Sequence, residues 1–256
     1  MAGTPLQIKS VIFDLDDTLI DWSGQSVSWP DFLRPRSDQI HHFLTSDGLS
    51  LPPQDEFYDL VSSAIGELWN KARETGKLHS IGVMLCQLLA DLGNNLDQID
   101  IDEVLVHFDW QPFPGVKLFD DSLEVLDALK LKHYKLGLLT NSFLPMWMRD
   151  IELEAFGLLD YFDARLTAAD VGYIKPHPAI FEEILSFLGT DPEEAVFVGD
   201  RPKNDIAGAN EAGMISILIT PPHVNHERGN VTPDYAIEKL SELLPLLSSI
   251  DSQLSK

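Results

Sequence analysis

Four short runs of apolar residues stand out along the chain: Ser10–Phe13, Leu136–Leu139, Ala195–Val198 and Ile215–Ile219. Each is continuous and bounded by turn or polar residues, the pattern of a strand buried on both faces. A weaker run lies at Ala164–Leu166. Between the runs the period changes to helical. In Asp121–Lys130, Leu123, Val125, Leu126 and Leu129 share a face, with acids at the start and Lys130, Lys132 and His133 at the end. That polarity suits the helix dipole. In Pro178–Leu188 the apolar stripe is Ile180, Phe181, Ile184, Leu185 and Leu188, and Pro178 suits the first helical position. Shorter helices are predicted at Asp205–Ala212, ending at Gly213, and at Ile237–Leu247.

Strand–helix alternation over residues 115–256 predicts a parallel sheet with helices on both faces. Ser10–Phe13 is too apolar for a solvated edge and is placed inside the same sheet. Residues 21–114 read differently. Phe57, Leu60, Val61, Ala64, Ile65, Leu68 and Trp69 recur at helical spacing, as do Ile81, Met84, Leu85, Leu88 and Leu89, and strand signals are scarce. The expected architecture is α/β. A doubly wound, Rossmann-like core of residues 1–20 and 115–256 carries an inserted helical domain of residues 21–114. Helices over such a sheet make a cleft at the interface, a usual place for a ligand.

Composition narrows the function. The 256 residues include 18 Lys and Arg against 41 Asp and Glu, a formal charge of −23, and 44 % are hydrophobic. That is enough apolar mass for a core and excludes wholesale disorder. The charge repels phosphate backbones and anionic lipid, so neither nucleic acid nor a membrane surface is expected as a partner. No run approaches the ~18–20 apolar residues of a membrane span. Met1-Ala-Gly-Thr-Pro-Leu has no basic start or long apolar stretch, so a cytoplasmic protein is expected. Cys86 alone makes neither an internal disulfide nor a cysteine-based zinc site. Most of the acid is solvated surface, so a functional Asp has to be argued from its setting.

Four clusters have such a setting, at the carboxyl ends of predicted strands. Asp14-Leu15-Asp16-Asp17-Thr18 follows the first strand. Residues two apart in extended chain point the same way, roughly 6–7 Å apart. Two carboxylates there are expensive unless they bind something positive, although a capped strand end with an Asx-turn reads equally well. Thr140-Asn141-Ser142 offers hydroxyl and backbone donors for an anionic oxygen. Lys175 precedes a helix start, where its charge adds to the dipole and favours phosphate. Asp200 and Asp205 form a second carboxylate pair, of the oxygen-donor kind that Mg2+ takes. Each cluster alone has an ordinary loop or N-cap reading. Their order and placement together are far more specific.

The motifs DLDDT at Asp14–Thr18, LLTNS at Leu138–Ser142, KPHPAIF at Lys175–Phe181 and VGDRPKNDIAGANEAGM at Val198–Met214 closely resemble those of the haloacid dehalogenase-like (HAD) superfamily. The resemblance runs from about Lys9 to Thr220. It is strong in the core and architectural in the insert, which looks like the family's type-1 helical cap. It implies phosphoryl transfer through an aspartyl-phosphate, with Asp14 as nucleophile and Asp16 as general acid, then base. It implies Mg2+ held by Asp14, the Asp16 backbone carbonyl and Asp200, with Asp205 near. Thr140 and the Asn141 backbone N–H would hold phosphate oxygens. Lys175 would neutralise charge, Thr18 would support the loop, and Asn204 would fix the loop on the metal side.

The expected activity is Mg2+-dependent hydrolysis of a small phosphorylated metabolite, by a monomer or homodimer. Dehalogenases of the family lack an acid two residues after the nucleophile, so Asp16 favours a phosphatase. A phosphomutase of sugar phosphates keeps both acids and ranks second, because Ile20-Asp21-Trp22-Ser23 shows no basic hinge. A non-catalytic binding protein of the same fold would normally have lost Asp14 or Asp16. Elsewhere, His41 and His42 are adjacent on a predicted helix and make no natural metal pair. Cys86 is expected in the core. Trp22 and Trp29 either pack or line the cleft, and Asp47-Gly48 is expected as a loop facing the site.

Overall fold

The computed structural model describes residues 7–97, 99–227 and 229–254; the N-terminal hexapeptide read above lies outside them. The chain opens with β1 (Ser10–Phe13) and β2 (Ile20–Asp21), then runs through α1 (Trp29–Ser46), α2 (Gln54–Thr75), α3 (Ile81–Asp91) and α4 (Ile101–Val106). It continues with β3 (Lys117–Leu118), α5 (Ser122–Leu131), β4 (Lys135–Thr140), α6 (Met146–Ala155), β5 (Ala164–Thr167), α7 (Ala168–Val171) and α8 (Pro178–Leu188). The last elements are β6 (Ala195–Gly199), α9 (Ala207–Glu211), β7 (Ile215–Ile219), β8 (Tyr235–Ile237) and α10 (Leu243–Leu254).

Six strands form one parallel sheet in the order β5-β4-β1-β6-β7-β8. The α/β expectation holds. Every residue of β1 and β6 is buried, so both faces of the sheet are covered at its centre. The first strand does lie inside the later sheet, between β4 and β6. The short antiparallel ribbon of β2 and β3 is a second sheet that the sequence pattern did not announce. Two residues per strand are too few for an alternation to be read.

Two helix expectations need correction. Ile237 closes β8, and the predicted Ile237–Leu247 helix begins instead as a short turn at Leu240–Glu242 followed by α10. The apolar Tyr235–Ile237 extends a sheet edge that only the folded chain offers. The predicted Asp205–Ala212 helix begins earlier, as a π-helical turn over Pro202–Ile206 that leads into α9. Cys86 is half-buried on α3 and does not sit in the core. Among the described residues no helix is long and apolar enough to cross a membrane.

The helices α1–α4 lie between β2 and β3, and two chain links join them to the sheet. The links touch at Gly24 and Gly115. A Cβ on Gly115 would sit 1.9 Å from the Gly24 carbonyl oxygen, and Gly115 also has φ +87°, so no other residue fits there. The helical segment is stitched to the sheet at three more points. Ile174 N–H donates to Gly76 O at 2.9 Å, Leu78 N–H to Gly172 O at 3.0 Å and Ile81 N–H to Phe143 O at 2.8 Å. These bonds hold the end of α2 over the carboxyl edge of the sheet.

Candidate active site

The order of the strands decides where the chemistry collects. Phe13 of β1 pairs with Leu138 of β4 and Val198 of β6. All three strands run parallel and end within two residues of that level, so Asp14, Thr140 and Asp200 emerge side by side. β4 and β5 lie to one side of β1, and β6, β7 and β8 to the other. The site is therefore at the switch point of the winding, where ligands bind in open α/β sheets. After Asp14 the chain turns tightly. Leu19 and Ile20 N–H both donate to Leu15 O, at 2.9 and 3.1 Å, and Asp17 takes φ 60°. Asp tolerates that left-handed conformation better than most residues.

Lys175 is 1 % exposed and has three oxygen neighbours for its ammonium group. Nζ donates to Asp14 Oδ1 at 2.7 Å and to Leu139 O at 2.9 Å, and it lies 2.7 Å from Asp205 Oδ1. The lysine is aimed by Asn141, whose side chain accepts from Lys175 N–H at 2.8 Å and donates to Lys175 O at 3.2 Å. Asp205 reaches the cluster because residue 199 is glycine. A Cβ there would lie 2.5 Å from Asp205 Cγ. The π-helical turn then lets Asp205 Oδ2 accept from Arg201 N–H at 2.9 Å while Oδ1 faces Lys175. Such turns are frequent at functional sites.

Asp14, Asp200 and Asp205 each bring an oxygen within 4.8 Å of the others, and all three are buried. Lys175 is the single lysine among them, so the carboxylates are under-compensated. Burial pushes Asp14 up to about 6, with Asp205 and Asp16 adding to it and Lys175 opposing. Burial, then Asp14 and Asp205, push Asp200 up to about 9. Asp200 Oδ2 lies 2.9 Å from His226 Nε2, while Oδ1 is buried with no hydrogen-bond partner. An orphaned oxygen beside two further carboxylates is a donor set for a hard divalent cation and fits Mg2+.

This strain gives a pH-dependent stability. At pH 7–9 the folded, metal-free protein retains a proton on Asp200 that the unfolded chain, with its carboxylate near 3.8, has already lost. Stability in EDTA should therefore fall as pH rises through that window, by at most about 1.4 kcal/mol per pH unit. Added Mg2+ should stabilise more at pH 9 than at pH 7, because the ion takes the ionised form. Thermal unfolding at several pH values, with EDTA or Mg2+, reads this directly. A flat EDTA profile would contradict it.

Asp16 faces away from the carboxylate cluster. Oδ1 accepts from Trp22 Nε1 at 2.9 Å and from Arg149 Nη2 at 3.0 Å, and Oδ2 accepts from Thr140 Oγ1 at 3.2 Å. Burial would raise its pKa, but Arg149 and these donors overcome it and hold the carboxyl below its ordinary value. Trp22 packs, its ring 5.1 Å from Phe113, and it also lines a cavity of about 360 Å³; that its indole holds Asp16 was not foreseen. Trp29 packs against Phe32, Phe113 and Phe143. Thr18 is buried with its hydroxyl unpaired, so any support it gives the loop runs through its backbone.

A cavity of about 420 Å³ opens over the cluster, lined by Asp14, Asp16, Thr140, Asn141, Lys175, Asn204 and Asp205 from the sheet side. Trp69 and Arg73 of α2 line it as well, as do Ile174 and Arg201. Asp47 instead ends α1 and is absent from this lining. His41 Nε2 lies 2.9 Å from the Pro52 carbonyl oxygen. Sequence reasoning missed Arg149, His226, Arg201 and Arg73. Arg149 did leave a trace: with Glu152 it puts two charges three residues apart on the buried face of α6, beside Met148 and Leu153.

The family model for haloacid dehalogenase-like hydrolase matches residues 8–213. A glyceraldehyde 3-phosphate phosphatase of Methanothermobacter thermautotrophicus is 30 % identical over 247 residues, covering 94 % of this chain and all of that protein. Among solved structures, an HAD phosphatase from Thermococcus onnurineus is 28 % identical with a TM-score of 0.61, covering 94 % of this chain and 98 % of its own. A 2-haloacid dehalogenase from Pseudomonas syringae pv. tomato is 29 % identical with a TM-score of 0.65, covering 95 % of this chain and all of its own.

Proposed function

From the premise that the chain belongs to the haloacid dehalogenase-like hydrolase family and is a phosphoric monoester hydrolase, we propose that it cleaves a small phosphorylated metabolite through a phosphoaspartate on Asp14. The observation that carries this reading is the arrangement of two carboxyls in different states. Asp14 is gripped by Lys175 at 2.7 Å beside the metal-type cluster, and Asp16 stands apart with its own donors. Their different partners divide nucleophile from acid–base: Arg149 holds Asp16 below its ordinary value in the empty site, and the negative charge of an entering phosphate would favour the protonated form that the first step needs.

The first step forms a bond between an Asp14 oxygen and phosphorus and breaks the bond from phosphorus to the ester oxygen. Asp16 gives that oxygen its proton. In the second step Asp16 takes a proton from water, which attacks the phosphoaspartate and frees Asp14. Lys175 offsets negative charge at both steps. Thr140 and the Asn141 backbone would bind phosphate oxygens. Asp14, Asp200, Asp205 and the Asp16 carbonyl would hold Mg2+. When bound, that ion would supply positive charge against the repulsion between Asp14 and the phosphate.

The helical segment, residues 21–114, serves as the cap in this reading. Arg73 reaches the cavity from α2 and is exposed; Nη2 donates to Asn70 Oδ1 at 2.7 Å, which leaves its other donors to meet the distal end of a substrate. Arg73→Ala should raise KM about tenfold and leave kcat nearly unchanged, the pattern of a group that binds ground and transition states alike. Equal loss in kcat would place Arg73 in the chemistry instead. Dehalogenation is less favoured, despite the dehalogenase-like fold, because a halide leaves without a proton and would give Asp16 nothing to do.

The test is phosphate release from three-carbon phosphate esters, sugar phosphates and one aryl phosphate, with Mg2+, with EDTA and with Asp14→Asn. Release that needs both Mg2+ and Asp14 supports the reading. Folded, Mg2+-binding protein that releases nothing from any ester rejects it.

A further inference from the structure

Arg149 belongs to none of the motifs, yet it is 4 % exposed and touches the site. Its Nε lies 3.1 Å from Glu152 Oε2, and Glu152 is fully buried. Its Nη2 donates to Asp16 Oδ1 at 3.0 Å, and its guanidinium stands 5.7 Å from the centre of the Trp110 ring. A buried Arg–Glu pair would be neutral by itself. Here one edge of the planar fork is held by Glu152, and the other is turned to a catalytic loop 133 residues away in sequence.

We propose that Arg149 is a positioning residue for Asp16, fixing the carboxyl so that Oδ2 faces the reacting ester oxygen; this rests on the phosphatase reading above. The two faces of Asp16 are distinct. Oδ2 lies beside Thr140, which lines the cavity over Asp14. Oδ1 lies beside Trp22 and Arg149, which line a neighbouring cavity of about 360 Å³ that Thr140 does not line and that meets the first at Asp16, Trp69, Asn141 and Arg201. Oδ1 faces two groups that can only donate, an indole N–H and a guanidinium, whereas Oδ2 meets, among the described residues, only the Thr140 hydroxyl, which can turn to accept, so Oδ2 is the oxygen able to carry the proton. The rigid guanidinium, seated on Glu152, sets the angle at which that oxygen is presented. Misplacement of a proton donor by about 1 Å is enough to lose most of its effect.

The consequence depends on the leaving group. As the Asp14–phosphorus bond forms and the ester bond breaks, an alkoxide needs the proton from Oδ2, whereas a nitrophenolate leaves without one. The experiment measures kcat/KM, which stops at formation of the phosphoaspartate, for p-nitrophenyl phosphate and for an alkyl phosphate that the wild type turns over. Asp16→Asn is the reference. Arg149→Met alone would strand Glu152, so the double variant Arg149→Met/Glu152→Met is used, since an apolar replacement of both partners is well tolerated. Arg149→Lys, which keeps the buried charge but loses the fork, is measured beside it.

The double variant should lose about 10²-fold on the alkyl ester and less than about threefold on the aryl ester, in the direction of Asp16→Asn. Arg149→Lys should show the same split, smaller. Parallel losses on both esters, or no loss on either, would overturn the proposal while the phosphatase reading stands. A wild type inert on every ester would overturn that reading and this proposal with it.

Discussion

Asp14→Asn should abolish phosphate release, by at least about 10⁴-fold in kcat, and leave the fold intact. The amide cannot serve as an oxyanion nucleophile, so the proposed two-step path through a phosphoaspartate would close entirely. The fold survives because Lys175 keeps two of its three oxygen neighbours, Leu139 O at 2.9 Å and Asp205 Oδ1 at 2.7 Å. The substitution also removes one of three converging carboxylates. Burial, with Asp205 and Asp16 and against Lys175, already pushes Asp14 up to about 6, so ionised Asp14 is under strain without metal. The Asn variant should therefore melt no lower than wild type in EDTA at pH 8, and it should gain less from Mg2+. Circular dichroism melts and phosphate release on one preparation check both halves. Retained turnover would remove Asp14 from the mechanism.

Lys175→Met is expected to damage both stability and turnover. The lysine is 1 % exposed, and it is the cation in direct contact with both Asp14 and Asp205. Removing one partner of a buried charge cluster leaves the others uncompensated, which costs about 3–5 kcal/mol. Mg2+ should restore part of that stability, because the ion brings positive charge to the same carboxylates. Turnover should fall by about 10²–10³-fold even with the metal bound, since a donor aimed at developing charge is lost. Urea midpoints with and without Mg2+ separate the two effects. Combining Lys175→Met with Asp14→Asn should cost less than the sum of the two, because both act on one contact. Strict additivity would mean that the 2.7 Å pair carries no coupling.

Much of this was legible in the residues themselves. Short apolar runs followed by Asp, Thr or Asn mark strands and the chemistry at their carboxyl ends, because a buried strand must be apolar and a polar residue there needs a reason. Ser10–Phe13 could be placed inside a later sheet on that ground alone. The same reasoning set Asp14, Thr140, Lys175, Asp200 and Asp205 in one site. It was less secure where local pattern is thin. Tyr235–Ile237 reads as the start of a helix and becomes an edge strand, since pairing with β7 is a property of the folded sheet. The two-residue strands β2 and β3 have no pattern to read.

What tertiary structure alone decided is which partner each charge has. Sequence spacing placed Asp14 and Asp16 at one strand end, two residues apart. The fold turned the first toward Lys175 and the second toward Arg149 and Trp22. Arg149 lies on a helix that sequence reading passed over, and His226 lies in a connection with no motif. Both reach the site only because distant chain segments converge at the switch point of the sheet. Residue types and local order follow from short-range rules of polarity and backbone shape. The pairing of charges follows from long-range packing, and burial then makes each pairing strong enough to set two similar carboxyls apart.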